Sequence, residues 1–178
     1  MTRIIPYQPA ELADPADLVA AIRRRRGGRL LNLDRMLLHS PALAQGWNGF
    51  LSQVRQHLSL NGRWREMAMC GVAILNGAEY EFIQHAPVFL KEGGSNAELA
   101  WLRRLGTPDY DPSCWPGDVD RRVCDLIIQM TRHIQVDDSV KRDLQATLGN
   151  QALVELVGVV STYNMVSRFL VALDVHPE

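Results

Sequence analysis

The chain has 178 residues, of which 47% are hydrophobic and 22% are charged, and its formal net charge is −1 at pH 7. This length allows one domain with a sizeable core, and the near-zero charge gives no field that would draw the protein onto nucleic acid or a membrane, so neither is an expected partner. We expect a cytoplasmic protein, because the start lacks the long apolar stretch of a signal peptide and no apolar run approaches the roughly 18 residues of a membrane span.

The first predicted helix begins at Asp14-Pro15, where Asp would be the N-cap and Pro the first helical residue. Gly27-Gly28 ends it. The basic run Arg23 to Arg26 lies at its carboxyl end, where cations complement the helix dipole, and we interpret the run as a solvated helix end.

The next clear helix begins at Ser40-Pro41, after the apolar run from 30 to 38, which is ambiguous by itself. Its apolar residues recur at three- and four-residue steps and predict a face turned to the core: Leu43, Trp47, Phe50, Leu51, Val54 and Leu58.

Two helices at the centre of the chain are separated by Asn76-Gly77, a signal that ends one helix and redirects the chain. The first, from about Arg63 to Leu75, is apolar over much of its circumference, which predicts a central position. The second covers 78–90, and Pro87 within it predicts a kink.

The remaining chain is also predicted to be helical. A capping box at Ser95 to Glu98 opens a short helix, and the stretch from Gly106 to Gly117 is a loop, interpreted as a connector rather than a lid. The later helices are predicted at 119–133, 138–148 up to Gly149, and 151–173. No alternation typical of strands is sustained, so we predict an all-α domain of seven or eight helices.

Glu81 and His85 are four residues apart on one predicted helix, so their side chains can touch. A carboxylate beside an imidazole fixes its tautomer and raises its pKa, and such a pair transfers protons near neutral pH. The same spacing also occurs in ordinary surface pairs, and Glu66, in the first turn of its helix, is explained by the helix dipole alone. The functional interpretation is that Glu66 reaches the following helix.

The run from Arg65 to Gly93 resembles the signature of the carboxymuconolactone decarboxylase and alkylhydroperoxidase D-like family. The matching positions are the early Glu at Glu66, the residue inside the motif at Tyr80, the His at His85 and the helix-ending Gly at Gly93, while the two cysteine positions of the family are Ala78 and Glu81. The resemblance covers about Leu38 to Val175. It implies a single-domain helical bundle of this type over 38–178, preceded by an extension with one helix over 1–37.

The resemblance implies one leading function and two alternatives. The leading function is a carboxy-lyase acting on a small carboxylated lactone or a related ring-cleavage product: His85 would transfer the proton, Glu81 would orient it, and Glu66 with Tyr80 would position the substrate. No metal or other cofactor is implied. The alternatives are an alkylhydroperoxidase-like antioxidant protein and a catalytically silent member that binds ligands. The family also implies a homo-oligomer, either dimer, trimer or hexamer.

The antioxidant alternative meets a chemical obstacle, because the paired thiols are missing. It would require Cys70, which lies within an apolar helical pattern rather than at a helix amino end, where a thiol pKa is lowered. We therefore expect a thiol mechanism to be absent. The other histidines, which stand next to predicted helix ends or turns, are weak catalytic candidates: His39, His57, His133 and His176.

Overall fold

The computed structural model describes residues 4–178. It is all-α, with no strand among the described residues, which confirms the predicted fold class. The eight α-helices are α1 Ala16–Arg25, α2 Asn32–Leu37, α3 Pro41–Gln56, α4 Gly62–Leu75, α5 Glu79–Lys91, α6 Asn96–Leu102, α7 Asp118–His133 and α8 Asp138–Ala172, and a short 3-10 helix covers Pro112–Cys114.

The chain forms two compact units. The first contains residues 4–58 together with Ala172–Glu178, and the second contains Ser59–Val171. The sequence-based division into an extension over 1–37 and a helical domain over 38–178 stays a prediction.

The first unit holds α1 to α3, and its basic run differs from the predicted solvated helix end. Arg25 and Arg26 both pair with the buried carboxylate of Asp34, at 3.5 and 3.1 Å, and Arg23 donates to the carbonyl of Ala10 at 2.9 Å. A buried carboxylate must be paired, and two guanidinium groups meet that requirement here. The run therefore ties the unit together. The cap of α1 is also one residue later than predicted, at Pro15.

The second unit is built around α4, which packs against α5, α6 and α7. All but one of the residues from Glu66 to Leu75 are buried, which confirms the predicted central position. The helix begins after Asn61, whose side chain accepts a hydrogen bond from the amide of Arg63, and it ends at Asn76. Gly77 then takes φ 67°, a left-handed conformation that reverses the chain at little cost for glycine.

The other elements of the second unit follow the predicted signals closely. The capping box forms, with the Ser95 and Glu98 side chains each accepting from the other's backbone amide. Helix α5 continues through Pro87 to Lys91. In the loop from Gly106 to Gly117, Trp115 is fully buried and donates from its indole nitrogen to the Tyr110 hydroxyl at 3.2 Å, so the loop is anchored in the core of the unit.

Helix α8 contains one break, at Gly149, where φ 78° and ψ 171° are not helical. The sequence predicted two helices at this point, one ending at Gly149 and one beginning at Gln151. By length and composition alone, α8 could also span a membrane. Half of its most apolar window is buried inside the protein, and the core helices of soluble proteins meet the same criterion. The length and composition of α8 are therefore weak evidence for a membrane span.

Candidate functional site: a buried histidine between two carboxylates

The reversal at Gly77 brings the second turn of α4 beside the middle of α5, so Glu66 lies one turn further into its helix than the sequence predicted. Glu66 on α4 and His85 on α5 are 19 residues apart in sequence, yet Glu66 Oε2 lies 2.7 Å from His85 Nδ1. Glu81 Oε2 lies 3.3 Å from the other ring nitrogen, Nε2. The structure thus brings together the three residues that the sequence predicted as catalytic, while their chemical role remains a proposal.

The two carboxylates contact the imidazole at different nitrogens and at different distances. Glu81 was expected to orient the imidazole from the same helix, but Glu66 makes the shorter contact, from the neighbouring helix. An ionised carboxylate only accepts hydrogen bonds, so Nδ1 of His85 carries the hydrogen that Glu66 accepts. Glu66 therefore fixes the tautomer, and the Nε2 edge of the ring is left to exchange protons.

Tyr163 is a residue of this site that the sequence reasoning missed. Its hydroxyl lies 2.9 Å from His85 Nε2, and the two rings meet edge to face with centroids 5.0 Å apart and an interplanar angle of 86°. When the imidazole is neutral the hydroxyl donates to Nε2, and when it is charged Nε2 donates to the hydroxyl. The available signal was a tyrosine and an asparagine, Asn164, interrupting the apolar pattern of the last helix.

Burial and charge act in opposite directions on the imidazole. Burial alone would lower the pKa of His85, but the hydrogen bonds and charges of Glu66 and Glu81 outweigh it and raise that pKa above the ordinary value of 6.5. Burial would likewise raise the pKa of Glu66, but His85, and then Arg65, hold it below 4.5. Near neutral pH the centre therefore contains an ionised Glu66 and an imidazole that retains its proton more strongly than a free one.

Arg65 supports the site from the side away from Nε2. Its Nε donates to Glu66 Oε1 at 3.2 Å, and its Nη2 lies 3.9 Å from Glu92 Oε1, a longer and weaker ion pair. Arg63, two residues earlier, donates to Glu98 and to Asp120, the latter at 2.8 Å. Arg63 therefore joins α4 to α6 and α7, whereas Arg65 contacts the site through Glu66.

Tyr80 and Ala78 lie beside the centre rather than in it. Tyr80 is buried on α5, five residues before His85, which places it about 140° around the helix from that ring. Its predicted contact with a substrate remains a proposal. Ala78 is the buried N-cap residue of α5, so where the resemblance expects the first cysteine there is a methyl group.

A polar cluster holds α8 in place next to the site. The side-chain amide of Asn76, at the end of α4, donates to Asn164 Oδ1 at 3.1 Å and to Ser167 Oγ at 2.8 Å. Asn164 in turn donates to Thr131 Oγ1 of α7 at 3.1 Å. Asn164 and Ser167 follow Tyr163 by one and four residues, so this cluster anchors the part of α8 from which the Tyr163 hydroxyl reaches His85.

The nearest cysteine in sequence has the environment of an inert thiol. Burial, and then the negative charges of Glu66 and Glu81, raise the pKa of Cys70 well above its ordinary value. All three cysteines are free, and Cys114 is the one with partial exposure. Among the described residues, no group of three or more His, Cys, Asp or Glu side chains is arranged to hold a metal ion.

Comparison with known proteins finds likeness in structure rather than in sequence. No protein-family model matches the chain, and no curated protein matches it. A peroxidase-related protein from Silicibacter sp. TM1040 superposes with a TM-score of 0.79 at 16% identity, over 99% of this chain and 92% of that chain. The alkylhydroperoxidase AhpD core of a peroxidase-related protein from Ralstonia eutropha JMP134 gives 0.77 at 13% identity, over 99% and 94%.

A third solved structure is a Cys-to-Ala variant of the debrominase Bmp8 in complex with 2,3,4-tribromopyrrole, with a TM-score of 0.77 and 14% identity over 99% of this chain and 94% of that chain. The three superpositions establish the fold, and at identities of 13–16% they establish the fold alone. The chain has the alkylhydroperoxidase D-like fold, as its sequence signature indicated, and the two cysteine positions of that signature are an alanine and a glutamate.

Proposed function

We propose that this protein is an acid–base catalyst of the carboxymuconolactone decarboxylase type, a lyase acting on a small carboxylated lactone or a related intermediate of aromatic breakdown. The observation that carries the proposal is the buried His85, fixed at Nδ1 by Glu66 and open to proton exchange at Nε2 with Glu81 and Tyr163. General acid–base catalysis needs such a group with a pKa near the working pH.

The proposed reaction takes one proton from the protein. The bond between the ring carbon and the carboxylate breaks, carbon dioxide leaves, and the electron pair of that bond moves into the conjugated carbonyl as an enolate. The imidazolium of His85 then gives its Nε2 proton to the carbon, and the enolate collapses to the carbonyl. Water returns a proton to His85, so the sum is one carboxylate and one proton converted to one C–H bond and carbon dioxide.

The debrominase supports a small ring as the substrate class, because that protein, of the same fold, was solved with tribromopyrrole bound. In the present chain Glu81 stands at the second cysteine position of the family signature, and a carboxylate exchanges protons but not electrons. A proton-transfer reaction therefore fits these side chains better than a peroxidase reaction, for which Cys70 is too deeply buried.

A second candidate function is a catalytically silent member that binds a ligand or serves in assembly. It is favoured by burial: the exposed fractions are 3% for Glu66, 1% for Glu81, 8% for His85 and 0% for Tyr163. A substrate reaches Nε2 only if Glu81 or Tyr163 moves. A silent protein would keep this cluster closed as part of its core.

The test is a decarboxylation assay in deuterium oxide with a panel of small carboxylated lactones. We expect wild-type protein to release carbon dioxide and to place one deuterium on the ring carbon, and we expect His85→Gln to lose both. Glu79→Gln, an exposed carboxylate two residues before Glu81, is the matched control and should retain activity. Folded wild-type protein without turnover on any member of the panel would leave the silent function as the better account.

We also propose that the protein is a cytoplasmic homo-oligomer. Near the end of α8, Leu170 is buried within the chain, while its apolar neighbour Val171 is 48% exposed. Light scattering on a sizing column would measure the number of subunits, and a monomer at working concentration would contradict the proposal.

A further inference from the structure

The Nε2 edge of the His85 ring faces two side chains of the protein, one of them a carboxylate. Glu81 Oε2 lies 3.3 Å from Nε2, and the Tyr163 hydroxyl lies 2.9 Å from the same nitrogen. Nδ1, on the opposite edge, is taken by Glu66. A carboxylate thus already occupies the space in front of the proton-exchanging nitrogen, next to the Tyr163 hydroxyl.

The two arginines at the start of α4 make their described contacts away from the Nε2 edge. Arg65 contacts Glu66, on the Nδ1 side, and Arg63 is held by Glu98 and Asp120. An anionic substrate that approaches Nε2 therefore has two donors to use, the imidazolium N–H and the phenol O–H. A hydrogen bond from a charged donor to a carboxylate is about twice as strong as one between neutral groups, so this pair favours a small carboxylate over a neutral ligand.

We infer that His85 Nε2 and the Tyr163 hydroxyl form a binding pair for a small carboxylate, and that the Glu81 side chain occupies this place in the free protein. The inference rests on the proposed function and adds to it the contact that the sequence lacked, a partner for the substrate's carboxylate. Glu81 belongs to the first turn of α5, so its side chain can withdraw without unwinding the helix. Binding is then an exchange of one carboxylate for another.

The exchange predicts that a carboxylate from solution replaces the Glu81 side chain once that side chain is removed. Glu81→Ala leaves space for formate, and the variant is titrated with sodium formate against sodium chloride at equal ionic strength. We expect formate to raise the midpoint of thermal unfolding in a concentration-dependent way, as for any ligand that binds the folded state. We also expect it to restore the ¹⁵N shifts of His85 towards their wild-type values.

Three further proteins complete the experiment. Wild type, in which Glu81 fills the place, and Glu79→Ala, which removes an exposed carboxylate of the same turn, should both respond to formate no more than to chloride. Glu81→Ala combined with Tyr163→Phe retains the ring and loses the hydroxyl, and its formate affinity should fall at least several-fold. If Glu81→Ala is unfolded in chloride, recovery of its helical circular dichroism by formate is the same measurement, and Glu81→Ser is titrated beside it.

The outcomes separate this inference from the proposed reaction. A formate response that requires the Tyr163 hydroxyl supports the binding pair even where no lactone turns over. The absence of a formate effect in whichever variant folds, or an equal effect in the Tyr163→Phe background, overturns the pair and leaves the decarboxylation assay unaffected.

Discussion

His85 Nε2 and the Tyr163 hydroxyl lie 2.9 Å apart, although the two residues are 78 positions apart in the chain and belong to α5 and α8. The contact makes the site a product of three helices, since α4 contributes Glu66. The imidazole is consequently held on both nitrogens, and its protonation state reports on each helix that surrounds it.

The two carboxylates should each raise the pKa of His85. We predict that Glu66→Gln and Glu81→Gln each lower it, because each removes a negative charge and a hydrogen-bond acceptor from the imidazolium. NMR titration of the His85 ring measures the effect, and Glu79→Gln should leave the pKa unchanged. A His85 pKa that stays at its wild-type value in both buried variants would show that the carboxylates do not face the ring in solution.

The stability of the protein should depend on pH at both ends of the range. His85 has a folded-state pKa above its ordinary 6.5, so its contribution is complete below about 6.5 and is lost as pH rises through the folded-state pKa. Glu66 has a folded-state pKa below 4.5, so its contribution is complete above about 4.5 and is lost as pH falls through the folded-state pKa. We therefore predict that this pair contributes most to the free energy of unfolding between about pH 4.5 and about pH 6.5.

Urea unfolding from about pH 3 to about pH 10 measures this dependence. In Glu66→Gln the acidic loss should shrink, and the alkaline loss should begin at lower pH because the pKa of His85 falls. A free energy of unfolding with the same pH profile in both proteins would contradict the assigned pair.

The sequence predicted the fold and most of the site for definable reasons. Glu81 and His85 are neighbours because they are four residues apart on one helix. The Asn76-Gly77 break predicted that α5 turns back along α4, and this is why Glu66 could be included in the site. Tyr163 could not be placed, because no local spacing relates a residue on α8 to one on α5. The tautomer assignment also required coordinates, since the choice between Glu66 and Glu81 at Nδ1 depends on how α4 and α5 pack.

Two glycines should respond to alanine in opposite ways. A Cβ at Gly94 would lie 2.2 Å from the buried ring of Phe89, so Gly94→Ala forces the core to shift and should destabilise the protein by about 1–3 kcal/mol. Gly158, within α8, has nothing within 4 Å of its Cβ position, and Gly158→Ala should stabilise by about 0.5–1 kcal/mol.

Chemical denaturation of the two variants beside wild type is the measurement. Gly158→Ala also serves as the control for the substitution itself. A loss of stability in Gly158→Ala would indicate that α8 has a close neighbour at this position, for example a second copy of the chain.

The polar cluster in which Asn76 of α4 bonds to Asn164 and Ser167 of α8 should affect both the stability of the protein and the position of Tyr163 at the site. Asn76→Ala removes hydrogen bonds to Asn164 and Ser167 and leaves polar groups with fewer partners, at a cost of about 1–3 kcal/mol. We also predict a change in the ¹⁵N shift of His85 Nε2, because α8 is held less firmly and the hydrogen bond between the Tyr163 hydroxyl and Nε2 is altered. Asn150→Ala, which removes a contact to Gln145 on the surface, should change neither quantity.

The three thiols should react at unequal rates in the folded protein. Burial raises the pKa of all three thiols, and it does so most strongly for the buried Cys70 and Cys124, whereas Cys114 is partly exposed to the reagent. We predict that one thiol reacts readily with an aromatic disulfide reagent and that Cys114→Ser removes this fast phase. A fast phase that disappears in Cys70→Ser instead would return the antioxidant alternative to consideration.

With Glu81 in place of a cysteine, the site has no thiol pair that must be reduced again between turnovers. A peroxidase that uses a cysteine pair must be re-reduced after every turnover, so its rate depends on a supply of electrons from a partner system. In the proposed reaction, the centre formed by Glu66, Glu81, His85 and Tyr163 returns to its starting state by taking a proton from water. A protein that works in this way needs no supply of electrons, so the proposed reaction predicts activity that does not depend on the oxidant load of the cell.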